Sequence, residues 1–190
     1  MTTLTLRQQT LIGLLLAAFM AATRSHHFAG LHHLPDASWA VFFLAGLYLR
    51  AAWAFAALSL LAVASDYVAI TWGGVSSFCV SPAYVMLLPA YGALWLAGRW
   101  YAGHHSERIA TLAPLALAAL GGAAVCELIS SGSFYFFSGR FADPTLAEFL
   151  PRLAKYFPHS LSTLAMYLGA AALAHAALAV LGRRKAQAGR

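Results

Sequence analysis

The chain has 190 residues, of which 61% are hydrophobic and only 9% charged, and its mean hydropathy is well above zero. A water-soluble domain of this composition would have too little polar surface to cover its core, so the expected class is an all-α integral membrane protein. The formal charge of +6 is dispersed along the chain, which argues against a nucleic-acid-binding face and points to membrane topology as the reason for it.

Apolar runs and their breakers predict six transmembrane helices, at about 8–23, 37–49, 51–70, 83–101, 109–131 and 160–182. With short connections they account for nearly the whole chain as one membrane domain, 1–190. The first run follows a weak positive charge and has some signal-peptide character, yet no small-x-small cleavage site precedes a soluble region, so it is expected to be retained. Within it Ala17 and Ala21, and Ala18 and Ala22, lie four apart, a spacing that lets a partner helix approach closely. The segment 24–36 holds His26, His27, His32 and His33, which resemble a metal cluster; no carboxylate or cysteine stands at a standard zinc spacing, and polar interface residues explain them as well. The second helix is short for a 30 Å hydrocarbon core and is expected to tilt or to be partly re-entrant.

The third helix ends near Asp66, and a loop at 71–82 follows, "TWGGVSSFCVSP", with Cys79 in it. Tyr84 begins the fourth helix just after Pro82. "GRWYAGHHSER" carries His104 and His105, Cys126 lies inside the fifth helix, and His175 lies in the sixth. The segment 132–159 reads as a long loop in which "DPTLAEFLPRLAKYF" forms a short capping helix: Asp-Pro is a start signal, and Leu146, Phe149, Leu150 and Leu153 recur at helical intervals. No internal repeat, CxxC pair, phosphate loop or nucleotide motif is present, so no ATP site is expected.

Six crossings put both termini on one side. Arg7, Arg50, Arg99, Arg108, Arg183, Arg184, Lys185 and Arg190 fall on that side, and Arg24, Arg140, Arg152 and Lys155 on the other, which predicts cytoplasmic termini. The loops 24–36, 71–82 and 132–159 then face outward and are the expected place of a binding site.

Four residues on that face bear on chemistry. A carboxylate at the end of a membrane helix is costly, which makes Asp66 a functional candidate with a partner. Cys79 sits in irregular backbone, which at membrane depth is tolerated where it lines a cavity, and a thiolate there is a ligand for a soft metal or a nucleophile. Tyr84 reads either as a site residue or as an interfacial belt tyrosine. Arg152 is either a charge-assisted fork for an amide, phosphate or carboxylate, or a solvated loop charge.

With His27 in "SHHFAG", Asp66 in "ASDYV", Cys79 in "SSFCVSP", Tyr84 in "PAYVM" and Arg152 in "LPRLAKY", nearly the whole chain resembles the BtuM family of vitamin B12 transporters, related to the S-components of energy-coupling factor (ECF) transporters. The resemblance implies a six-helix bundle of the ECF S-component type in the bacterial inner membrane, with a cobalamin site open to the periplasm. It also implies that Cys79 is an axial ligand to the corrin cobalt and displaces cyanide from cyanocobalamin. Asp66, Tyr84, His27 and Arg152 would then bind the corrin's amide side chains or nucleotide loop or orient the thiolate. Trp72, Phe78, Phe134, Tyr135 and Phe137 would line its apolar walls. The implied partners are the lipid bilayer and either an ECF coupling module, docked on the Ala17–Ala22 face, or none.

Two other classes compete. In a membrane-embedded cysteine transpeptidase or protease of the exosortase type, Cys79 would be the nucleophile, His159 the base and Arg152 the oxyanion donor. A haem- or quinone-linked subunit would need histidines on two facing helices, and only His175 lies within one.

Overall fold

A computed structural model describes residues 4–24, 34–106 and 108–188. Among them the chain forms six α-helices: α1 (Leu6–Arg24), α2 (Ser38–Tyr48), α3 (Trp53–Thr71), α4 (Leu87–His104), α5 (Leu112–Phe137) and α6 (Leu146–Ala188). Four segments, Leu6–Arg24, Trp53–Thr71, Ile109–Phe137 and Leu146–Gly182, are long and apolar enough to cross a membrane. Their outward faces present exposed side chains such as Leu14, Leu60, Leu117 and Leu173. Water would penalise that surface, whereas acyl chains are as apolar as leucine and do not.

The short α2 is the centre of the core. Its 11 residues rise about 16 Å at 1.5 Å per residue, half of a hydrocarbon core. The protein encloses it: Val41, Phe42, Phe43 and Ala45 are fully buried, among α1, α3, α4 and α6. Glycine makes its seat against α4. A Cβ on Gly46 would overlap the Trp95 carbonyl oxygen, and one on Gly98 would overlap the Phe43 carbonyl oxygen, so the two backbones meet with nothing between them. On the other side of α4, a Cβ on Gly122 of α5 would come within 2.7 Å of the Ala97 Cβ.

Two boundaries differ from the sequence reading. The expected outer loop 132–159 is mostly helix, because α5 runs on through "FYFF" to Phe137 and α6 begins at Leu146. The turn that remains uses Gly139 and Asp143 at positive φ. Thr145 then caps α6 through its hydroxyl, which accepts from Glu148 N–H at 3.3 Å. Pro151 and Pro158 lie inside α6 without ending it. Each removes one backbone hydrogen bond, but the first turns are held against α5 by Phe149, which is buried with its ring 5.6 Å from Tyr135 and 5.5 Å from Phe136. The expected capping helix is therefore the first part of α6. The fourth helix also starts later than expected: Pro82–Met86 is a 3₁₀ turn that leads into α4 at Leu87.

Candidate functional site

The C-termini of α1 and α3 and the N-termini of α2 and α4 meet at one end of the bundle around a buried charge network. Arg24 ends α1 and is 3% exposed; Asp66 lies in the last turns of α3 and is 7% exposed. The guanidinium grips the carboxylate bidentately, with Nε donating to Oδ1 and Nη2 to Oδ2, both at 2.8 Å. Its Nη1 donates to Ser38 Oγ and to Tyr91 Oη, again at 2.8 Å. Ser38 in turn donates through Oγ to Asp36 at 2.6 Å, and Asp36 also accepts from Ser38 N–H at the start of α2. Tyr84, from the 3₁₀ turn before α4, donates its hydroxyl to Asp66 Oδ2 at 2.6 Å. A planar fork on a carboxylate is the arrangement in which an arginine withstands burial, because both partners keep their hydrogen bonds.

Cys79 stands on the 3₁₀ turn Ser77–Cys79 and is a free, exposed cysteine. Ser76 shapes the turn by accepting from Phe78 N–H at 3.2 Å, and Gly74 at φ +68° turns the chain into it. The residue is exposed although its sulfur is partly covered. That covering pushes the thiol above the ordinary cysteine range, the charge of Asp66 pushes it further, and Arg140 opposes them. The thiol therefore keeps its proton at neutral pH. Phe78, beside it, packs edge-on against Phe134 at 5.7 Å and carries the Arg140 guanidinium 5.1 Å above its ring.

Phe134 leads from this turn to a cavity of about 160 Å³ between α5 and α6, where Arg152 lies with Glu127, Tyr135, Phe141 and Tyr156. The Arg152 guanidinium sits 4.6 Å from the Phe141 ring centre and 5.6 Å from that of Tyr135. Glu127 is 4% exposed and accepts from Ser131 Oγ at 2.6 Å.

Of the residues singled out in the sequence, Asp66 and Tyr84 are directly bonded, and Cys79 lies within electrostatic reach of Asp66. Arg152 belongs to the neighbouring cavity, connected through Phe134 and Phe78. His27 and the other histidines of that segment lie outside the described residues. Trp72 packs on Tyr67 at 5.9 Å, away from this group, and Phe137 is exposed. In α1, Ala17 packs against the core, Ala21 is half-buried, and Ala18 and Ala22 are exposed. His159 is exposed on α6, and among the described residues no hydrogen bond joins it or another histidine to Cys79.

The sequence reading passed over Arg24, taken as a topology charge, and Glu127. Both had a signal. Glu127 is a carboxylate inside an apolar run, the criterion that selected Asp66, and Arg24 is an opposite charge at the same expected face as Asp66. Ser38 and Tyr91 carried none, being ordinary residues whose role appears only when the helix ends converge. Compared with known proteins, the chain matches no family model and no curated protein sequence.

Proposed function

We propose that the protein binds vitamin B12 on the end of the bundle that carries Cys79, as the capture step of uptake across the bacterial inner membrane. In this reading the chain is a six-span bundle of the S-component type with both termini cytoplasmic and the site facing the periplasm. The observation that carries the reading is Cys79 itself, an exposed thiol on an irregular turn between a carboxylate network and an aromatic-lined cavity, where a soft ligand can reach a metal brought from outside.

The chemistry is a ligand exchange on the substrate. The thiol gives up its proton, the sulfur donates an electron pair to cobalt(III), and the cobalt–carbon bond of cyanocobalamin breaks with its pair leaving as cyanide, which can take up the proton. Cobalt and sulfur keep their oxidation states, so no reductant is needed, and the event is stoichiometric rather than catalytic. A thiol held protonated stays inert to other electrophiles until a Lewis acid competes for the sulfur. Asp66, already gripped by Arg24, acts by fixing Tyr84 and by setting the potential at Cys79. Tyr84, Arg152 and His27 would meet the corrin's amides. The 160 Å³ cavity is below the roughly 300–1,000 Å³ of a drug-sized pocket, so it suits one amide arm and not the ring. With no nucleotide motif in the chain, an ECF coupling module would have to supply ATP energy, and the exposed Ala18 and Ala22 face is where its membrane subunit would pack.

The test is the visible spectrum and cobalt content of purified protein after incubation with cyanocobalamin, for the parent and for Cys79→Ser. One cobalt per chain, a shifted spectrum and released cyanide in the parent, with the shift and the cyanide lost in the variant, are expected. A parent that retains no cobalt overturns the reading.

A further inference from the structure

At the end of the bundle opposite Cys79, α2, α4, α5 and the C-terminal half of α6 enclose a second cavity of about 330 Å³. Its walls are apolar, with Leu44, Leu47, Leu115 and Leu168 among them. Its polar groups gather in one corner. Tyr48 Oη is 3.3 Å from His175 Nδ1, and Tyr101 Oη is 2.9 Å from His105 Nδ1 and 3.1 Å from Thr111 Oγ1. The two imidazole rings meet edge to face at 5.2 Å, and Arg108 lies at the rim.

The cavity opens past apolar side chains: Ile109, Leu112 and Val180, which line it, are 86%, 53% and 49% exposed. Facing water such a mouth would be costly; facing acyl chains it is not. Among the described residues the charge of this end is one-sided as well. Arg50, Arg99 and Arg108 lie here, where Arg99 donates to the Arg50 carbonyl at 3.2 Å, whereas the five described carboxylates lie toward the other end: Asp36 before α2, Asp66 late in α3, Glu127 in the second half of α5, Asp143 in the turn after it and Glu148 at the start of α6. Glu107 lies outside the described residues. An occupant that satisfies both parts has a hydrocarbon chain for the walls and an anionic, hydrogen-bond-accepting head for Arg108 and the imidazole–phenol corner.

We propose that this cavity binds one anionic phospholipid, with an acyl chain between α5 and α6 and its phosphate at Arg108 and the His105–His175 corner. Basic pockets between membrane helices hold such headgroups by charge, and the chain contributes apolar burial.

Native mass spectrometry of the detergent-purified full chain, titrated with phosphatidylglycerol or phosphatidylcholine and without corrinoid, tests this independently of the vitamin reading. The parent is expected to retain one phosphatidylglycerol in preference to phosphatidylcholine. Arg108→Gln, at an exposed position, is expected to weaken phosphatidylglycerol binding about fivefold, which is roughly 1 kcal/mol, and to leave phosphatidylcholine unchanged. Ala176→Trp, which fills the cavity, is expected to weaken both lipids. Equal retention of the two lipids by the parent, or an unaltered preference in Arg108→Gln, overturns the proposal. So does displacement of the lipid by excess inorganic phosphate, which would assign the corner to a soluble anion. Should Ala176→Trp not fold, the headgroup comparison decides alone.

Discussion

Truncating Arg24 removes the centre of the network at the Cys79 end. In Arg24→Met the side chain keeps an unbranched apolar stem and loses the guanidinium with its four donated hydrogen bonds, all at 2.8 Å: two to Asp66, one to Ser38 and one to Tyr91. A hydrogen bond to a charged group is worth about 1.5–3 kcal/mol, but the four share one guanidinium and do not add. The better guide is the cost of breaking a buried ion pair from one side, about 3–5 kcal/mol, because Asp66 is left charged and buried. For a chain of this size each kcal/mol moves Tm by about 2–4 °C, so a drop of about 6–20 °C is expected. The assay is thermal unfolding in detergent of the parent, Arg24→Met, Asp66→Leu and the double variant. Since a buried pair replaced by apolar residues is often neutral, the double variant should recover most of the loss, with a coupling energy above about 2 kcal/mol. A loss below about 1 kcal/mol in Arg24→Met, or losses that simply add in the double variant, would refute the reasoning.

Adjacent glycines in α5 should behave oppositely. Gly122→Ala, which meets the Ala97 Cβ at 2.7 Å, should cost about 1–3 kcal/mol, whereas Gly121→Ala, with nothing within 4 Å, should be neutral or stabilise by up to about 1 kcal/mol; unfolding midpoints of the two variants decide it. The raised thiol of Cys79 predicts that its alkylation rate climbs with pH through a midpoint above the ordinary cysteine range. Removing the opposing cation in Arg140→Gln raises that midpoint further, so alkylation at pH 8 slows. A faster rate in that variant would show that the guanidinium does not act on the sulfur.

Much of the helical organisation was legible in the sequence, since apolar run length and charge breakers report directly on what the surroundings can solvate. That includes a short second helix, the irregular Cys79 turn and the expectation that Asp66 has a partner, each local in origin: a run length, a Gly/Ser stretch, one carboxylate where burial is costly. The segment 132–159 was misread for an equally physical reason. Two prolines and a Ser/Gly stretch are local breaking signals, and the stacking of Phe149 on Tyr135 and Phe136 that overrides them is a contact between helices.

What tertiary structure alone decided is who meets whom. Arg24 and Asp66 stand 42 residues apart, and nothing local in either helix tells that one fork will bind the other, or that Ser38 and Tyr91 will fill its remaining donor. Nor does spacing along either helix tell that Gly46 and Gly98 will bring the backbones of α2 and α4 into contact. Hydropathy and spacing state how each helix relates to its solvent; partner choice depends on shape and charge that come together only when the helices pack.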